Sequence, residues 1–126
     1  MENQNNLTGI EHEKAEFDKA KIFRIQEEIS YVPGSVISKA ILKKPTGSIR
    51  LMSFDAGESI AEKISPFDTY IEIIEGKTEV VINGTSQILE AGDSLVLPAH
   101  LANSIRASYG RFKMVITIIK SGYERL

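Results

Sequence analysis

The sequence predicts an all-β barrel or sandwich, on three observations. Short apolar runs recur at roughly eight- to twelve-residue intervals, turn residues separate them, and no long helical pattern lies between them. A chain of 126 residues is the size of one domain with one hydrophobic core, and it carries no internal repeat or low-complexity tract.

The elements follow in order. Residues 1–22 are polar, include GIEHEKAEFDKAK, and are expected to form a tail or arm: either a short frayed helix or a segment ordered by docking on a partner. The barrel domain is expected over 23–126. Phe23, Ile25 and Ile29 open the apolar pattern, and Pro33-Gly34 breaks it. Strands are expected at Val36 to Leu42 and Ile49 to Phe54, with Pro45-Thr46-Gly47 and Asp55-Ala56-Gly57 as the turns after them. Tyr70 to Ile74 stops at Glu75-Gly76. Thr78 to Ile82 stops at Asn83-Gly84, a pair suited to a type I′ hairpin because both central residues need positive φ. Gln87 to Leu89, Ser94 to Leu97, Ser104 to Ala107 and Phe112 to Ile119 complete the set. The last of these, FKMVITII, is apolar enough to be buried along most of its length.

Composition removes several function classes. A net charge of -2 gathers neither nucleic acid nor an anionic membrane, so neither is expected as a partner. The absence of cysteine excludes disulfides, thiolate metal sites and cysteine nucleophiles. No apolar run approaches the roughly eighteen residues of a membrane span, and the first twenty residues lack the apolar core of a signal peptide. We expect a cytoplasmic protein.

From Phe54 onward the signals resemble the cupin superfamily. The stretch FDAGESIAEKISPFDTYIEIIEG is similar to the first cupin motif, with Gly57 and Gly76 at its two ends. AGDSLVLPAHLANSI is similar to the second, with Gly92, Asp93 and Pro98 in place, and KTEVVINGTSQILEAGD has the length and turn of the hairpin between them. The resemblance covers roughly residues 45–120. It implies a cupin-like double-stranded β-helix, or jelly-roll barrel, preceded by a short N-terminal arm.

The same alignment departs from the family at its chemical positions. The two histidines and the glutamate of the first motif fall at Lys63, Ser65 and Thr69, and the histidine of the second falls at Asn103. The chain's only histidines are His12, in the polar tail, and His100. A site for a divalent ion wants several imidazoles or carboxylates converging, and an ammonium repels such an ion. Neither a cupin-type metal nor any other cofactor is therefore expected.

Five residues remain as candidate site residues. In a barrel strand alternate side chains face inward, so Thr69, Ile71 and Ile73 are expected to share the inner face and Tyr70, Glu72 and Ile74 the outer one. The lumen is then apolar with a polar mouth, the usual setting for a small organic ligand. Lys63, if desolvated, can serve as a base, or can hold an anion as a charged group; it reads as readily as a lysine swung out to solvent beside Glu62. His100 lies near the expected mouth, as an acid/base group or simply a loop residue. Lys63 and His100 are thus the catalytic candidates. Ser65, Thr69 and Asn103 offer neutral hydrogen-bonding groups that either orient a ligand or fill a vacated site. Arg50, Arg106, Arg111 and Lys113 read either as a cationic rim or as scattered surface charge.

Three functions stay open on these residues. The leading one is metal-free binding of a small molecule, a sugar or an organic acid. The second, which the resemblance permits, is a metal-independent isomerase, epimerase or lyase acting on a carbohydrate derivative. The third is a structural dimerisation module with its interior packed shut. Cupins commonly pair through their sheets, and the FKMVITII strand can supply such an interface, so a homodimer is expected.

Overall fold

The computed structural model describes residues 16–122. Eight strands carry the fold: β1 (Val36–Lys44), β2 (Gly47–Phe54), β3 (Ser59–Ile64), β4 (Thr69–Ile82), β5 (Thr85–Glu90), β6 (Ser94–Leu97), β7 (Ala102–Arg106) and β8 (Phe112–Ile119). Every pairing is antiparallel. The expected all-β architecture is what the chain adopts.

One strand joins the two halves of the barrel. The first part of β4, from Thr69 to Gly76, pairs with β6 and β8, and β8 continues through β2 to β1. Its second part, from Lys77 to Ile82, pairs with β5 and β7, and β7 continues to β3. The sequence divides this strand in two at Glu75-Gly76, but the chain passes through. The register shifts between Ile73 and Glu75, and Gly76 sits at φ 82°. A glycine here turns the strand from one half to the other, as a bulge bends a sheet without ending it. At the following hairpin, Asn83 and Gly84 have φ of 48° and 85°, the positive pair that a type I′ turn needs.

Register fixes which side chains face inward, because residues directly opposite in an antiparallel ladder lie on the same face. Phe54, Met52, Arg50 and Ser48 of β2 stand opposite Phe112, Met114, Ile116 and Ile118 of β8. Met114, Ile116 and Ile118 in turn face Ile73, Ile71 and Thr69 of β4. Thr69, Ile71 and Ile73 are buried while Tyr70 is exposed, which is the alternation expected from the sequence. Phe54, Ile71, Ile73, Phe112, Met114 and Ile116, together with Val80, Leu89, Leu97, Ile105 and Ala107, form a single inner core.

The outer face of the β1-β2-β8 half is covered by residues 24–32. Ile29 and Leu51 are buried there, outside the inner core. The Ser53 hydroxyl donates to the Ser30 carbonyl at 2.9 Å, Lys39 Nζ to Glu28 at 2.6 Å and Lys113 Nζ to Gln26 at 2.8 Å. The expected arm, residues 1–22, falls into two parts. Residues 1–15, where an arm or frayed helix is expected, lie outside the described residues. Residues 16–22 contain no helix; Phe17 donates its amide to Ile41 at the edge of β1, 3.2 Å away.

Candidate functional site at the barrel mouth

Two short loops close one end of the barrel. Residues 65–68 cross from β3 to β4, and residues 98–101 cross from β6 to β7. They are stitched together: His100 donates its amide to the Ser65 carbonyl at 2.7 Å, and Ala99 donates to Asp68 Oδ1 at 2.8 Å. His100 takes φ 70°, a left-handed conformation that histidine tolerates better than most residues. Through these contacts the chain brings Lys63, Ser65, Thr69, His100 and Asn103 to the same end of the barrel.

Their environments differ. Asn103 is 4% exposed and lies between two partners on the inner face, opposite Lys63 of β3 and Ile82 of β4. Its Oδ1 is buried and accepts no hydrogen bond from the described residues. Buried side-chain acceptors are nearly always satisfied, so this atom stands out. Lys63 lies at the rim, exposed and without an ion pair among the described residues. Thr69 is 7% exposed. Ser65 accepts the Phe67 amide at 3.1 Å and so shapes its own loop. The His100 side chain is exposed.

The four candidate rim cations do not converge. Arg106 stands opposite Glu79 on an outward-facing pair. Arg111 bonds Asp55 at 2.8 Å, in the loop that follows β2 at the end away from the mouth. Lys113 is buried on the outer face under the strap. Arg50 alone points into the barrel, one row deeper than Ser48, Ile118 and Thr69, with its Nε bonded to Ser38 Oγ at 2.7 Å. The sequence leaves Arg50 open between a cationic rim and scattered surface charge, although its period-two spacing from Met52 and Phe54 carries the inward signal. Two grooves are lined by none of the five candidate site residues. One, of about 280 Å³, runs between Phe17, Phe23 and Glu28; the other, of about 210 Å³, lies along Leu42, Ile49 and Ile119.

With this geometry in place, comparison with solved structures is direct. A cupin superfamily protein from Desulfitobacterium hafniense superposes on 83% of this chain and 95% of its own, with a TM-score of 0.77 and 27% identity. A cupin 2 conserved barrel domain protein from Leptotrichia buccalis matches at 31% identity over 78% of this chain, with a TM-score of 0.75. The chain belongs to the cupin superfamily. It spans about half of the Leptotrichia protein, 47% of whose length is covered. A conserved protein of unknown function from Streptococcus pyogenes shares the fold at a TM-score of 0.79 and 23% identity, over 84% of this chain and 92% of its own. No family model matches the chain, and no curated protein does.

In this cupin the residues at the motif's metal-ligand positions do not fit a metal. Lys63, Ser65, Thr69 and Asn103 supply one ammonium, two hydroxyls and one amide. Among the described residues no group of three or more histidine, cysteine, aspartate or glutamate side chains is placed to hold an ion. A divalent cation beside Lys63 would meet repulsion in place of ligand charge. What the arrangement can do is hydrogen-bond and attract an anion.

Proposed function

We propose that this cupin binds a small organic molecule, a sugar or an organic acid, at the barrel mouth, with no turnover required. The observation that carries this reading is the buried Asn103 Oδ1, an acceptor that no described residue satisfies. Leaving a buried acceptor unpaired costs about 1–3 kcal/mol, and a ligand that donates to it offsets that cost. Deeper along the same inner face, Ile105 and the facing Val80 belong to the apolar core. The test is a thermal-shift screen of a broad metabolite library. A binder raises Tm, because a ligand selective for the native state stabilises it, and its effect is lost in an Asn103→Leu variant. A library in which no compound shifts Tm overturns the reading.

The homodimer expectation has separate support. Tyr70 and Val96 form an exposed cross-strand pair on the outer face of β4 and β6, at 39% and 55% exposure. Such a pair suits burial against a second copy. Sedimentation of the full chain beside a Val96→Glu variant tests it: a dimer that the variant converts to monomer supports this face, and a monomeric parent removes it.

A further inference from the structure

We infer that the ligand is a hydroxylated carboxylate, with its hydroxyl on Asn103 and its carboxylate on Lys63. The inference rests on the reading that the mouth binds a small molecule, and it adds the chemical class.

Two neighbouring groups carry it. Asn103 Oδ1 is a buried acceptor with no partner among the described residues, so whatever completes it must bring an N–H or O–H donor. Lys63 stands directly opposite in the β3–β7 ladder. Facing residues of such a ladder have Cβ atoms about 4.5–5.5 Å apart, so a ligand on the amide lies within reach of the lysine ammonium. That charge disfavours a cationic donor on Asn103, since like charges this close repel even in water. The donor is therefore neutral, which among the sugars and organic acids proposed for this site is a hydroxyl, and the group beside it on the ligand is an anion.

The surroundings agree in sign. No aspartate or glutamate occupies a position that strand pairing fixes on the inner face of the described barrel. Glu72 and Glu79 both face outward, opposite Val115 and Arg106. An anion entering the mouth thus meets Lys63 with no carboxylate in the same inner rows, while Asp68 in the mouth loop accepts the Ala99 amide at 2.8 Å. A carboxylate fits better than a phosphate ester. The mouth offers one exposed lysine, a match for a single charge, and the inward Arg50 one row deeper is engaged with Ser38, whereas phosphate sites use arginine forks or helix N-termini.

Matched probes separate the two halves of the claim. Gluconate and glycerate carry both groups; sorbitol and glycerol keep the hydroxyls alone; hexanoate and propionate keep the carboxylate alone; glucose 6-phosphate and glycerol 3-phosphate exchange the anion. Titration calorimetry and thermal shift on the full chain are expected to show a hydroxy acid binding about tenfold or more tightly than its three counterparts. Lys63→Met, at an exposed position that folding tolerates, is expected to abolish the preference over the polyol. Asn103→Leu is expected to abolish the preference over the simple acid. Polyols, simple acids or phosphates binding as well as the hydroxy acids would overturn the assignment, as would a preference that survives Lys63→Met. If hydroxy acids fail while another library compound binds in an Asn103-dependent way, the class is wrong and the mouth-binding reading stands. If no compound binds at all, both fall.

Discussion

Phe54 and Phe112 stack face to face across the β2–β8 ladder, with ring centroids 4.4 Å apart and planes 14° from parallel. Both are fully buried, and they lie in the inner row farthest from Ser48, Ile118 and Thr69, so they form the closed end of the barrel. Truncating either ring leaves a cavity in a layer that has no route to solvent. Phe112→Ala is expected to lower stability by about 3–5 kcal/mol, read from urea denaturation. A loss below about 1.5 kcal/mol would mean that the closed end is not packed as described.

Gly76 gives the barrel its corner. Its φ is 82°, and a Cβ there would run into the Arg111 carbonyl and the Phe112 backbone. Gly92 has a similar φ of 97° but nothing within 4 Å of where a Cβ would stand. Both substitutions to alanine incur the backbone strain of a left-handed residue, about 1 kcal/mol; only Gly76→Ala adds a steric clash with a neighbouring strand. The measurable quantity is the difference between the two variants. Gly76→Ala should be the more damaging by a clear margin in Tm, and equal losses would show that the corner relaxes.

This corner also shows how far the sequence could be read. Six of the eight strands were legible because their inner faces are apolar and their ends carry turn residues. β4 was divided in two because Glu75-Gly76 has the composition of a turn, and only the pairing of both halves with different partners shows it acting as a bulge. β3, SIAEKI, was missed for a different reason. It is an edge strand and all of it but Ile60 is exposed, so it shows no apolar period to read; its pairing with β7 holds it in place. The candidate site residues come from the spacing of the two motifs, and the fold brings them to one end of the barrel. Arg50 reads from its charge as a rim or surface residue, although its period-two position points inward, and the orphaned Asn103 oxygen has no counterpart in sequence at all, since it depends on what surrounds one atom.

Acid should loosen the loop that follows β2. The Asp55 carboxyl accepts the Gly34 amide at 2.6 Å, then the Arg111 guanidinium at 2.8 Å, and these contacts with the Ala56 amide lower its pKa from 3.8 to about 2. A carboxylate with a depressed folded-state pKa stabilises the fold fully above its ordinary pKa, and that contribution is lost as pH falls from there towards about 2. Glu16, held at about 2 chiefly by the Lys43 amide, behaves in the same way. The fall of Tm across this interval is expected to be shallower in Asp55→Asn than in the parent, with the Glu16 component remaining. Parallel curves would show that the Asp55 contacts do not persist in solution.

Asn103 sets stability against binding. Its carbonyl oxygen is desolvated without a partner among the described residues, while the neighbouring inner-face position across the ladder is the aliphatic Ile82 and the next along the strand is the buried Ile105. Leucine is close to asparagine in size and removes the unsatisfied acceptor without opening a cavity, so Asn103→Leu is expected to raise the stability of the unliganded protein by about 1 kcal/mol or more. The same change removes the atom assigned to the ligand. A variant that is more stable and no longer prefers hydroxy acids to simple acids is the outcome the geometry requires, because a cost kept at a site is offset only when the ligand is present. A variant less stable than the parent would mean that Oδ1 is already satisfied in solution, by water or by the Lys63 ammonium, and the case for a ligand there would lose its first observation.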